Sequence, residues 1–157
     1  MKKLLKVSSW LAIVIGIVLI ISGVWASYFI YRSIGQENII TPGDASIPGV
    51  PVRGPFTLKA QSDVIRKHVL EDTGGKTFAE MPRQVPKLDA YGNQVHDDSG
   101  KEVMTANTAR DIWITATTLT TALNLGIMSY AFSALIIFIG LVTIWFGTLF
   151  RVLVRKH

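Results

Sequence analysis

Two histidines in the middle of the chain are its clearest candidates for chemistry, because an imidazole can bind a metal ion or carry a proton near neutral pH. His68 is followed by Glu71 and Asp72, and residues three or four positions apart share one face of a helix. No second histidine follows at a spacing typical of zinc sites. A solvated helix face explains this pattern better. We therefore predict no bound metal and keep His68 as the one residue to test as a metal ligand.

The remaining polar motifs do not complete a catalytic or binding pattern. His96-Asp97-Asp98 with Glu102 lacks the alternating acidic ligands of a calcium loop. Gly74-Gly75-Lys76 lacks the spacing of a phosphate-binding loop and follows a predicted helix, so it indicates a helix stop. The absence of cysteine excludes disulfides and thiolate chemistry. We predict no catalytic residue, no cofactor and no enzymatic activity.

The polar residues lie between two long uncharged stretches, and these stretches predict an integral membrane protein. Twenty-five uncharged residues run from Val7 to Tyr31, and thirty-nine run from Ile112 to Phe150. At about 1.5 Å per residue, a helix of that shorter length reaches about 37 Å, which exceeds the hydrocarbon thickness of about 30 Å. The predicted fold is mainly α: a hairpin of two transmembrane helices, 7–31 and 126–150, with a small α-helical or α+β extracytoplasmic domain between them.

The distribution of charge predicts the orientation of this hairpin. All eleven acidic residues lie between Glu37 and Asp111, whereas the short tails 1–6 and 151–157 carry basic residues and no acidic ones. Basic tails favour the cytoplasmic side. We predict a multi-pass protein of the plasma membrane, with both termini in the cytoplasm and the loop outside. The formal net charge of +5 then fits anionic lipid as a partner, and we predict no nucleic-acid binding.

A secretory signal is the alternative interpretation of the first span. Residues 1–27 combine a basic start, an apolar run and the small-x-small cleavage pattern Val24-Trp25-Ala26. The apolar run is longer than the usual length of about 7–15 residues, and aromatic residues continue to Tyr31. Trp10 and Tyr31, near the two ends of the span, also fit the aromatic belts of a membrane helix. We favour a retained span; cleavage would leave one span and the same outer domain.

Small residues recur every seven positions in both predicted spans. A repeat of seven keeps one stripe facing a partner helix, and small side chains let two backbones approach closely within a membrane. Chance alignment is the alternative, because glycine and serine are common in membrane helices. We predict a packing face that joins the two spans to each other or to another subunit, with Ile137 off the stripe. The predicted packing residues are Ser9, Gly16 and Gly23 in the first span and Gly126, Ser133, Gly140 and Gly147 in the second.

Between the spans, composition divides the chain into a linker and a small domain. Segment 32–56 is rich in proline and glycine, which predicts an extended linker. Segment 57–125 is the predicted extracytoplasmic domain. It begins with an amphipathic helix over residues 57–71. Turn signals follow over residues 82–104.

The second half of that domain runs into the second span. A small hairpin between Val85 and Val103 is one option for the turn-rich stretch. A capping box at Thr108 predicts a single helix from there to Val154, with its first five turns above the membrane. The helix over residues 57–71 should pack on that extension. The apolar face available to it consists of Ile112, Ala116, Leu119 and Leu123.

Several motifs resemble those of a family of small actinobacterial membrane proteins with two spans. They are Glu37-Asn38-Ile39, the stretch from Ala60 to His68 together with Gly74 to Met81, and the entry into the second span from Ala122 to Gly126. The resemblance covers most of the chain and implies a cell-envelope setting. Members have no known function, and some carry the label of an aromatic ring-opening dioxygenase. Such iron sites need converging histidine and carboxylate ligands, and nothing in the sequence makes His68 and His96 converge.

Three functions are compatible with these patterns. The one we favour is a non-catalytic accessory or scaffold subunit of a larger cell-envelope or respiratory membrane complex, with other membrane subunits or a second copy as partners. The second is an extracytoplasmic ligand-binding or sensing protein, although tails of six and seven residues leave little to signal with. The third is a metal-dependent enzyme that uses His68.

Overall fold

Over residues 2–156, the part of the chain that the structure describes, the fold consists of three helices and one small sheet. The computed structural model describes residues 2–156, with side chains for residues 2–154. α1 and α3 pack against each other as an antiparallel hairpin, which leaves both described ends of the chain on the same side. The chain is thus mainly helical, as predicted. Its elements in order are α1 (Lys2–Gly35), α2 (Pro55–Asp72), β1 (Gln84–Pro86), β2 (Met104–Ala106) and α3 (Thr108–Lys156).

α1 and α3 are both long and apolar enough to cross a membrane. In the most apolar eighteen-residue window of each helix, only 11% of the residues are buried inside the chain. The core helix of a soluble protein would be mostly buried. Here large apolar side chains such as Val18, Phe29 and Phe138 point outward and are more than half exposed. Their exposure supports the predicted pair of membrane helices.

α2 begins where a glycine and a proline set its first turn. Gly54 is the N-cap in extended geometry, and Pro55 occupies the first turn, where its missing N–H leaves no helical hydrogen bond unmade. The Thr57 hydroxyl oxygen accepts the backbone N–H groups of Arg53 and Gly54 at 3.0 and 3.1 Å. The helix therefore starts slightly before the predicted first residue, Thr57.

The segment predicted as an extended linker, 32–56, contains a compact loop. α1 continues through Gly35, so the first residues of that segment are helical. The Thr41 N–H donates to the Val50 carbonyl at 3.0 Å, and its side-chain oxygen accepts the Val50 N–H at 3.1 Å. Thr41 and Val52 are 2% and 1% exposed. The hydrogen bonds close the loop on itself, and buried Val52 packs it against Leu123 of α3 and Ile34 of α1.

The turn-rich stretch 82–104 forms two short hairpins that project from the β1–β2 pair. β1 pairs antiparallel with β2, with Val85 opposite Thr105; a hairpin is therefore present close to the predicted register. Beyond it, an eight-residue pattern occurs twice, with Asp89 and Asp97 at equivalent positions. One carboxylate oxygen of each aspartate accepts two backbone N–H groups, a geometry that stabilises tight turns. The donors are Tyr91 and Asn93 for the first turn and Ser99 and Lys101 for the second.

Residues 36–107, here named the distal layer, share two buried clusters with the first turns of α3. One cluster lies between the second half of α2 and the first turns of α3, and the other lies at the junction with α1. Each cluster combines side chains from the distal layer with side chains from α3, so the distal layer is fixed directly to the helix that continues into the hairpin. The clusters are Val69, Met81, Trp113 and Ala116, and Val52, Leu58 and Leu123.

Candidate functional site

The structure gives His68 a partner that the sequence spacing does not indicate. Its Nε2 lies 2.8 Å from Oδ2 of Asp44, and the Lys67 ammonium donates to the same oxygen at 2.9 Å. The hydrogen bond from Lys67, followed by that from His68, lowers the pKa of Asp44 from its ordinary value of 3.8 to about 2. Asp44 lies in the loop after α1. This trio, the Asp44 cluster, therefore fastens that loop to α2.

The other polar motifs also have structural partners. His96 Nδ1 lies 3.2 Å from the Gln94 carbonyl oxygen inside one of the short hairpins. Gly74 and Gly75 adopt positive φ angles of 61° and 79°, and the Gly75 N–H donates to the Leu70 carbonyl at 2.6 Å, which ends α2 as the sequence predicts. Within the residues that the structure describes, no three histidine or acidic side chains are arranged to hold a metal ion.

The predicted packing residues of α1 lie directly against those of α3. A Cβ added to Gly16 would lie 2.6 Å from the Gly140 carbonyl oxygen, and one added to Gly23 would lie 2.9 Å from the Ser133 carbonyl oxygen. These distances are shorter than a normal contact between carbon and oxygen, so the two backbones touch. A Cβ added to Gly147 would lie 3.0 Å from the Ser9 carbonyl oxygen. The stripes of α1 and α3 therefore lie against each other within one chain.

A buried hydrogen bond closes this interface near the chain termini. The Ser9 hydroxyl donates to the Gly147 carbonyl oxygen at 2.7 Å, and Ser9 is only 2% exposed. Ser133 is equally buried, and its hydroxyl donates back to the Ser129 carbonyl at 3.0 Å. Both serines thus satisfy their polar groups while keeping a small volume, which allows the close approach.

Isoleucines fill the space above the glycines, although the seven-residue pattern of small residues does not indicate them. Ile144 Cγ1 would lie 2.5 Å from a Cβ on Gly16, and Ile137 Cγ1 would lie 2.6 Å from one on Gly23. Ile137, predicted to lie off the stripe, is therefore part of the interface. The available signal was an isoleucine four residues after a small residue, which places both on one helix face. The pattern occurs at Ser9 and Ile13, Gly16 and Ile20, Ser133 and Ile137, and Gly140 and Ile144.

Gly126, the remaining predicted packing residue, lies where the hairpin meets the distal layer. A Cβ added there would lie 3.2 Å from Leu58 Cδ1 and 3.4 Å from Ile34 Cδ1. It therefore faces α2 as well as α1. Next to it the Tyr130 hydroxyl donates to the Arg53 carbonyl oxygen at 2.7 Å. The top of the hairpin is thus joined to the first residues before α2.

A groove lies between α2 and α3 because α2 covers only part of the apolar face of α3. The predicted face is half buried: Ala116 and Leu123 are each 8% exposed, whereas Ile112 and Leu119 are 45% and 49% exposed. Trp113, absent from the predicted face, is buried in their place. The groove, here named the α2/α3 groove, has a volume of about 420 Å³ and is lined by His68, Asp72 and Asp111 as well as by apolar residues.

The α2/α3 groove lies beyond the end of α1. The contacts between Gly23 and Ser133 fix the register of the antiparallel pair. Twelve residues further along, α1 ends at Gly35, which is level with about residue 121 of α3. Leu119 and Ile112 are above that level. The exposed apolar side chains of the groove are therefore set apart from the apolar faces of the hairpin.

Comparisons with known proteins returned no match. No protein-family model, no curated protein and no solved structure is similar to the chain at a significant level.

Proposed function

We propose that the chain is a non-catalytic integral membrane protein that acts as an accessory or scaffold subunit of a larger cell-envelope or respiratory membrane complex. The small-residue stripes are occupied within the chain and do not hold the partner. The partner instead binds the α2/α3 groove. Exposed Ile112 and Leu119, beyond the end of α1, are the single observation that carries this proposal.

The position of the groove relative to the bilayer supports a protein partner. We place the lipid boundary near Arg32 and Arg53, the first charged residues above the apolar length of α1. Arg53 lies 5.5 Å from the ring centroid of Tyr31, and aromatic rings favour the head-group level. Lipid tails then cover the hairpin and leave Ile112 and Leu119 in water. Apolar side chains with a polar rim above the bilayer are typical of a protein–protein contact.

The orientation belongs to the same proposal. We place both termini in the cytoplasm and the distal layer outside the plasma membrane, because the tails are basic and all acidic residues lie between the helices. The close fit of α1 against α3 supports a retained first helix, since cleavage would remove half of that interface. The resemblance noted above suggests an actinobacterial envelope. A C-terminal tag should resist external protease on cells stripped of their outer wall; its digestion would contradict this orientation.

The non-catalytic role is supported by what the polar side chains do. His68 is bound to Asp44, and the aspartates of the two hairpins are bound to their own turns. These groups hold loops, and the α2/α3 groove that His68 also lines is an open surface rather than an enclosed pocket. Elemental analysis of the purified protein tests this directly. Stoichiometric iron or zinc that disappears on His68→Gln would favour the enzyme instead.

Site-specific cross-linking from the groove tests the proposed partner. A photoreactive phenylalanine analogue is placed at Leu119, with Thr117 as a matched exposed position on α3 that does not line the groove. We expect position 119 to capture one membrane protein, or a second copy of this chain, and position 117 to capture none. Leu119→Glu should abolish co-purification of that partner, and Thr117→Glu should not. Equal capture from both positions, or a lone protein that retains a small molecule in mild detergent, would contradict the scaffold and favour the ligand-binding alternative.

A further inference from the structure

A cavity lies between α1 and α3 at the end of the hairpin where the chain begins and ends. Its volume is about 320 Å³, and it is lined by Lys6, Ser9 and Trp10 of α1 and by Arg151 and Val154 of α3. Lys6 lies about one turn before Ser9, and Arg151 lies one turn after Gly147. Because the Ser9 hydroxyl bonds to Gly147 and the helices are antiparallel, the two cationic side chains are at the same level.

The charged side chains that line this cavity are both cationic, which favours binding of an anion. All eleven acidic residues lie between Glu37 and Asp111, so α1 contains none, and α3 contains only Asp111, at its far end. Among the side chains that the structure describes, Lys6 and Arg151 therefore face one cavity with no carboxylate of the hairpin beside them. The Arg151 guanidinium lies 5.1 Å from the ring centroid of Trp10, which keeps it over the cavity. Like charges in one cavity repel, and an anion between them would turn repulsion into attraction.

An apolar groove continues from the cavity along the lipid-facing side of α1. It has a volume of about 420 Å³, shares Lys6 and Trp10 with the cavity, and extends past Val7 and Leu11 to Val14. A free phosphate ion would fill only the charged part. A molecule with a negatively charged head and an acyl chain fits both parts. We propose that the cavity and this groove together bind an anionic phospholipid, with its phosphate between Lys6 and Arg151 and an acyl chain along α1.

The proposal rests on the membrane placement given above and adds a ligand to it. Val7 begins the first uncharged stretch and Phe150 ends the second, so Lys6 and Arg151 lie at the head-group level of the leaflet that contains both termini. Basic pockets between membrane helices on the cytoplasmic side suit anionic head groups. Trp10 supplies an amphipathic ring at the same level.

Native mass spectrometry of the full-length protein, ejected from nanodiscs with equal amounts of phosphatidylglycerol and phosphatidylcholine, tests this site. We expect protein-bound lipid to be enriched in phosphatidylglycerol. Lys6→Gln and Arg151→Gln should each reduce that enrichment by about tenfold, because each removes a direct hydrogen bond between a charged side chain and the lipid phosphate. Lys3→Gln removes the same charge from the same helix but does not line the cavity, so it should retain the enrichment.

Three results would overturn the proposal. The first is equal binding of both lipids by the wild-type protein. The second is an equal loss of enrichment in Lys3→Gln and Lys6→Gln, which would indicate diffuse surface charge. The third is displacement of the lipid by excess glycerol phosphate, which would indicate a site for a soluble phosphate. Resistance of the inserted protein to alkaline extraction is measured first. A wild-type protein that fails to insert contradicts the membrane placement, whereas one that inserts without lipid preference contradicts only the lipid site.

Discussion

The hairpin and the distal layer are held together in opposite ways. Between α1 and α3, small residues bring the backbones into contact, so that a Cβ on Gly140 would lie 2.8 Å from the Gly16 carbonyl oxygen. Between α2 and α3, large side chains such as Leu58 and Trp113 are buried and hold the helices together. The first interface consists of close packing, and the second consists of apolar side chains removed from water.

This difference follows from the solvent that each region is proposed to occupy. In a bilayer, lipid tails are as apolar as leucine, so burying leucine drives no association and close packing must do so. In water, each apolar side chain removed from solvent is stabilising, at about 25 cal/mol per Å². Gly126 marks the change, because it faces Ile34 of α1 and Leu58 of α2 together. Changes on either side of it should therefore damage one region and spare the other.

Leu58→Ala should have the largest effect and should act on the distal layer. Leu58 is 1% exposed and packs with Val52 and Leu123. Its truncation removes burial and leaves a cavity, which costs about 2–5 kcal/mol. Hydrogen exchange in nanodiscs should rise for peptides from α2 and the loop after α1, while the apolar part of α1 remains protected. Phe56→Ala is the control on the same helix, because Phe56 is 79% exposed. Equal loss of protection in α1 would show that both regions unfold as one unit.

Gly16→Leu should come next and should act on the hairpin. A Cβ at that position already lies 2.5 Å from Ile144 Cγ1 and 2.6 Å from the Gly140 carbonyl oxygen, so the helices must separate. Overpacking of this kind costs about 1–3 kcal/mol. The measurement is the free energy of unfolding of the hairpin in mixed micelles. Ala131→Leu enlarges an exposed position of α3 and should be nearly neutral. Similar losses from both variants would mean that close packing does not hold this pair.

The two regions were also unequally predictable from the sequence. A period of seven in glycine and serine indicates which face of each helix is small, because helix geometry alone fixes that face. The period does not determine which helix packs on that face or in which register. For this reason Ile137 was predicted to lie outside the interface. The helix boundaries near Thr108 and Gly74 were predictable for the same reason, because capping and stop signals act over a few residues. The cap of α3 is nevertheless Asn107, whose Oδ1 accepts the Ala109 N–H at 3.1 Å, and not the predicted Thr108.

The distal layer was less predictable because its contacts join residues far apart in the chain. The proline and glycine content of the segment containing Asp44 predicted an extended linker. In the structure, Asp44 contacts His68, which lies 24 positions later in the chain. The pattern of apolar residues in α3 predicted four buried side chains. Which ones are buried depends on where α2 crosses α3, and this crossing leaves Ile112 exposed and buries Trp113. No pattern of neighbouring residues indicates the Asp44–His68 contact or the burial of Trp113. The groove proposed as the partner site exists because of the way α2 crosses α3.

The smallest expected effect is a loss of stability at low pH, and it should be confined to the distal layer. The pKa of Asp44 is lowered from 3.8 to about 2 by hydrogen bonds from Lys67 and then His68. A carboxyl whose pKa is lower in the folded state stabilises the fold above its unfolded pKa, and loses that contribution as the pH falls. Protection of the loop after α1 should therefore be complete above about pH 4 and decline towards pH 2, with little change in the hairpin. The measurement is the pH dependence of hydrogen exchange in that loop, referenced to the intrinsic exchange rate. Asp44→Asn should remove the transition, and Asp98→Asn, in a separate hairpin, should preserve it. A transition that survives Asp44→Asn, or that extends through α1, would assign the acid sensitivity to some other group.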